Sequence, residues 1–127
     1  MREALVGHAV ELPPQLAARY PELAAARYRR GGLPLRVGGW ALGQPTVAAI
    51  TLWRTIWLAP GVPLAADLLL HEVRHVQQFD AVLAFPLRYL WESVRRGYHR
   101  NRYEADARAY ARERLDAHPG DPPRGDV

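Results

Sequence analysis

The chain has 127 residues, 49% of them hydrophobic and 24% charged, enough for one domain with a modest core but not for two full domains. It contains no cysteine, which excludes disulfides, thiolate metal ligands and cysteine nucleophiles and leaves His, Asp and Glu as the ligand set. The formal charge is +4, with every cation an arginine; no nucleic-acid-binding module accompanies that charge, so specific nucleic-acid recognition is not expected.

At the N-terminus, MREALVGHAVELPP carries Arg2, but Glu3, His8 and Glu11 interrupt any apolar core of a signal peptide and no small-residue cleavage site follows. A cytoplasmic protein is the expectation. From 13 to 30, Leu16, Tyr20, Leu23, Ala24 and Tyr28 recur near helical spacing. This predicts an N-terminal helix, kinked or restarted at Pro21 and ended by Gly31 and Gly32. Residues 33–58, LPLRVGGWALG followed by VAAITLWRTIWL, are rich in Val, Ile, Thr and Trp and predict two or three short antiparallel strands. Arg54, Asp67, Pro60 and Pro63 interrupt the apolar stretch 47–70, well short of the roughly 20 residues of a membrane span.

Pro60, Gly61 and Pro63 mark a loop, with Pro63 early in a helix over 64–79. A further helix, AVLAFPLRYLWESVRRGY, is continuous with it or kinked at Pro86, and Gly97 closes it. Asn101 suits the N-cap of a last helix running from Arg102 to about 118, stopped by Pro119 and Gly120. The expected fold class is α+β. A single domain over 1–118 combines an N-terminal helix, a small antiparallel or mixed sheet and C-terminal helices, with a flexible tail over 119–127.

The chemistry concentrates in LLLHEVRHVQQF. Residues four apart share a helix face, so His71 and His75 can direct ring nitrogens at one point and form half of a tetrahedral zinc shell. Glu72 is rotated by about 100° from His71 and flanks the pair, where it can act as general base. At this chain's His and Glu frequencies an HExxH string arises by chance in roughly one such chain in a hundred. Two core histidines with ordinary partners are therefore the competing explanation, which must also accommodate Glu72 and Arg74.

A catalytic zinc needs a third protein ligand and an open position. Glu104 in NRYEADARAYA is the candidate, although Asn101 to Glu104 also has the spacing of a capping box. Ala105, Ala107, Ala109 and Ala111 leave this helix a small-residue surface for close approach. His8 and His118 read as surface residues, and Asp106 as an exposed partner of Arg102 or Arg108.

HEVRH with a downstream Glu104 resembles the gluzincin zinc metallopeptidases, and among them the small single-domain minigluzincins, over residues 47 to 112. The resemblance implies a zincin-like fold with His71, His75 and Glu104 as Zn2+ ligands, the last on a C-terminal glutamate helix, and Glu72 as catalytic base and acid. It implies that ITLWRTIWLA is the sheet's edge strand, along which an extended peptide or protein substrate pairs. His99, Tyr98 and Tyr103 are candidate transition-state donors. Ala107 fits one variant of the family pattern. Arg108 stands where another variant has Asp, so the partner of the first histidine is unassigned, with Asp67 as one possibility and a helix-start carboxylate as the other reading of that residue. The implied function is a peptide-bond hydrolase, an endopeptidase before an exopeptidase. The alternatives are a catalytically idle zinc-holding interaction module and a nucleic-acid-associated protein using Arg95, Arg96, Arg100 and Arg102.

Overall fold

The computed structural model describes residues 7–32 and 48–117. Their α+β arrangement contains strand β1 (His8–Ala9), helix α1 (Pro14–Arg19), a 3-10 turn (Pro21–Ala25) and strand β2 (Arg27–Arg30). Strands β3 (Ala49–Leu52) and β4 (Thr55–Leu58) follow, then helices α2 (Ala66–Ala81), α3 (Phe85–Arg96) and α4 (Arg102–Asp116). The strand order is β1-β2-β4-β3.

The N-terminal helix and the single edge strand are corrected, and of the two sheet types expected the mixed one is found. The segment expected as one N-terminal helix is six residues of α1, a 3-10 turn begun by Pro21, and a strand. Proline at 21 removes a helical N–H and clashes with the preceding turn, and the chain leaves the helix there. Tyr28 then pairs with Ile56 in a parallel ladder, and its hydroxyl donates to the Leu23 carbonyl at 2.7 Å. The sheet is therefore mixed, since β2 and β4 run parallel whereas β1–β2 and β3–β4 are antiparallel. Finally, ITLWRTIWLA is a hairpin turned at Trp53 and Arg54, not one strand; among the described strands β3 is at the edge and β4 lies inside the sheet. The strand expected within 33–47 and the tail over 119–127 fall outside the described residues.

Period-two alternation buries Ile56 and Leu58 on one face of β4. Against that face lies α2, whose Leu69, Leu70 and Val73 are fully buried with Tyr20 and Leu23. The helix begins at Ala66, so Pro63 sits in the approach loop rather than within the first turn. Arg30 holds that loop, its Nη1 donating to the carbonyls of Ala59 (2.9 Å) and Val62 (2.8 Å).

The chain breaks between α2 and α3 at residues 82–84, with Ala84 left-handed (φ 56°), and Pro86 falls in the first turn of α3, where no N–H is required. Helix α4 packs along α2 through Ala107 and Ala111, one turn apart and both buried; Ala105 and Ala109 face outward. No helix among the described residues is long and apolar enough to cross a membrane.

Candidate metal centre

Helix α2 presents His71, Glu72 and His75 toward β3 and α4. Each offers one ligand atom, the three lying within 4.8 Å of one another, so the group can hold a metal ion. Glu104, buried in the first turn of α4, reaches both histidines: Oε1 lies 2.8 Å from His71 Nε2 and Oε2 lies 3.1 Å from His75 Nε2. The capping-box alternative fails for its side chain. Asn101 caps α4 by accepting from Tyr103 N at 2.8 Å, and its own N–H donates to the Tyr98 carbonyl.

Gln78 settles the tautomer of His75. Both contacts of the Gln78 amide nitrogen are acceptors, the Tyr103 carbonyl (3.0 Å) and Asp106 Oδ2 (2.9 Å). Gln78 Oε1 must therefore accept from His75 Nδ1, 2.8 Å away. That leaves Nε2 as the nitrogen directed at Glu104, the arrangement a metal-ligating imidazole needs. Arg74 fixes the other end of the chain, with Nε 2.8 Å and Nη2 3.3 Å from the Asp106 carboxylate. Asp106 thus partners Arg74, not Arg102 or Arg108, because α2 and α4 lie side by side. Arg74 has no need of Glu72.

Charge explains the rest. With the Nδ1 proton of His75 given to Gln78, a neutral His75 would turn an acceptor Nε2 toward the Glu104 carboxylate; a proton on that ring supplies the missing positive charge, and so would a divalent cation. Burial alone would lower the His75 pKa, but the hydrogen bond to Glu104 and the charge of Glu72 outweigh it and lift it to about 9. Burial likewise opposes ionisation of Glu104, yet hydrogen bonds from His71, His75 and Tyr89 hold its carboxyl far below the usual range. The donor set, two imidazoles and a carboxylate without thiolate, fits a divalent ion of borderline character.

Glu72 is held apart from this grip. Its Oε1 accepts from Thr51 Oγ1 on β3 at 3.1 Å, and its Oε2 is 3.9 Å from His71 Nε2. One carboxylate oxygen is thereby tied to the edge strand while the other faces the histidines. Asp67 lies in the first turn of α2, its buried Oδ1 making no hydrogen bond among the described residues.

A cleft of about 200 Å³ opens over Glu72, His75 and Glu104, with β3 as one wall and Phe85, Tyr89 and Leu90 on the other. Tyr98 lines it too, and its phenol is pushed up by burial and by the charges of Glu104 and Glu72, so it remains a donor. Tyr103 instead lines the opposite groove with Arg74 and Asp106, and His99 is exposed with its ring edge-on to Tyr98. Sequence reasoning missed Tyr89, whose hydroxyl donates to Glu104 Oε2 at 2.5 Å. It also missed Thr51 and Gln78; of the three, only Gln78, one turn beyond His75, had a signal in its spacing.

Compared with protein-family models, curated proteins and solved structures, the chain matches none. The functional reading rests on the geometry of this site.

Proposed function

We propose that the protein is a zinc-dependent peptidase of gluzincin type with a zincin-like fold. The observation that carries this reading is the grip of the Glu104 carboxylate on both Nε2 atoms of HEVRH, beneath a cleft walled by β3, the last strand of the described sheet. His71, His75 and Glu104 would hold the ion. Bound there, zinc supplies Lewis-acid polarisation of a carbonyl and lowers the pKa of water.

The chain's own groups do the rest. An extended peptide adds to β3 by backbone hydrogen bonds, which places one of its carbonyls over Glu72 and the histidines. Glu72, steadied through Oε1 by Thr51, takes the proton of the attacking water on Oε2 and returns it to the amine that leaves. Tyr98 and Tyr89, both phenols at the cleft and both facing the Glu104 carboxylate, are placed to donate to the developing oxyanion. The walls of the cleft are apolar and aromatic, favouring hydrophobic side chains beside the scissile bond.

The test is hydrolysis of an unstructured, casein-like substrate by zinc-loaded protein. Activity should fall by about 100- to 10,000-fold in Glu72→Gln, while zinc content stays the same. Equal activity in wild type and Glu72→Gln, or none in either, would refute the peptidase reading.

A further inference from the structure

Helix α3 has two unlike faces. Phe85 and Glu92 are buried, whereas Leu87, Leu90, Trp91 and Val94 are 71%, 46%, 62% and 81% exposed. At about 100° per residue these four fall in one stripe roughly 100° wide. Leu83, 84% exposed, precedes the helix, and Trp53, 63% exposed, stands at the β3–β4 turn. Trp53 packs on Phe79 (ring centroids 5.2 Å apart), which meets Phe85 on the buried face of α3 at 4.7 Å, so the β3–β4 turn and the start of α3 are tied by one aromatic cluster. Four large apolar side chains gathered on one stripe of a single helix mark a docking surface rather than scattered exposure.

Its border is cationic. By helical position Arg88 and Arg95 flank the Trp91 side of the stripe, Arg100 lies beyond its C-terminal end and Arg54 beside Trp53, all four exposed. The one acid within α3, Glu92, is buried and drawn to Arg96 at 3.5 Å and Arg102 at 4.0 Å. Asp80, exposed nearby, lies 3.6 Å from Arg54. A symmetric dimer across this face would bring two cationic borders together, which like-charge repulsion opposes. A narrow apolar stripe with tryptophans and an arginine rim instead complements the headgroup region of an anionic bilayer.

We infer that the α3 stripe, with Trp53, seats the protein on an anionic membrane surface. Twelve residues are too few to span one, so the helix lies in the interface. Pro86 and Leu90 of α3 also line the cleft, which places its opening beside the lipid. The inference is independent of the metal and of hydrolysis.

The test is co-sedimentation of the full chain with vesicles of phosphatidylcholine alone, and with about one-third phosphatidylglycerol added. Binding is expected to the anionic vesicles, weakly or not at all to the neutral ones, and less with added salt. Leu87→Ser with Trp91→Ser should lower partitioning by about 10- to 100-fold. Arg88→Glu with Arg95→Glu should lower it by about tenfold or more, whereas Arg112→Glu, exposed on α4, should change it by about threefold or less. These substitutions lie on the surface, and an unchanged thermal midpoint confirms the fold. Failure to bind anionic vesicles at low salt, or equal binding by the stripe variants, overturns the inference. So does a dimer, without vesicle binding, that Leu87→Ser with Trp91→Ser dissolves, since a second copy would then cover the face.

Discussion

Glu104 serves three partners at once, His71, His75 and Tyr89, and its pair with His75 leaves a trace in the pH dependence of stability. In chain stripped of metal by a chelator, it forms a buried charge pair with His75. The His75 pKa is raised to about 9, so its contribution is complete below the unfolded value of 6.5 and is lost as pH rises through about 9. Glu104, depressed from 4.5, contributes above that value and loses its contribution as pH falls below it. These are two views of one pair and do not add. Stability of the stripped protein should therefore peak between pH 4.5 and 6.5 and decline by on the order of 1–3 kcal/mol toward pH 9, measured by urea unfolding. A second prediction concerns Thr51. Thr51→Val removes the donor to Glu72 Oε1, and kcat/KM should drop about tenfold, with zinc content unchanged. The pair of histidines and Glu72 were legible because i and i+4 are neighbours on any helix. Thr51 and Tyr89 were not, because they meet Glu72 and Glu104 across 21 and 15 residues of chain, and only the sheet edge and the packing of α3 bring them there.

The site is assembled where three helices and one edge strand converge, so it is sensitive to how α4 is seated. Asn101 is fully buried and does two jobs, capping α4 and donating from Nδ2 to the Tyr89 carbonyl (3.1 Å) and Ser93 Oγ (2.9 Å). Asn101→Ala should cost about 1–2 kcal/mol and weaken metal retention, because the turn bearing Glu104 loses its anchor to α3. Ala107→Leu forces a larger side chain between α2 and α4 and should cost about 1–3 kcal/mol, read by thermal unfolding. The existence and order of α2, α3 and α4 followed from apolar periodicity, proline and capping residues. The short strand over Arg27–Arg30 did not, since its residues continue the helical spacing of the segment before it and the parallel pairing with β4 is a long-range choice. The hairpin over residues 49–58 was hidden for a related reason: Trp53 takes a positive φ of 54°, a conformation that residues other than glycine and asparagine seldom announce.

For the molecule as a whole, the two histidines and the buried Glu104 carboxylate come together only in the folded state, so under the proposed reading that state would be the one to hold a cation. Binding should therefore stabilise the fold, with the unfolding midpoint rising with free zinc. The α3 stripe lies outside that linkage and should be indifferent to metal. The measurement closest to the central claim is elemental analysis of protein purified without added zinc, comparing wild type with Glu72→Gln, His75→Ala and Glu104→Ala. About one zinc per chain is expected in wild type and in Glu72→Gln, and a large loss in His75→Ala and Glu104→Ala, each still folded by circular dichroism. Undiminished zinc in both His75→Ala and Glu104→Ala, or none in folded wild type even after incubation with zinc, would contradict the account.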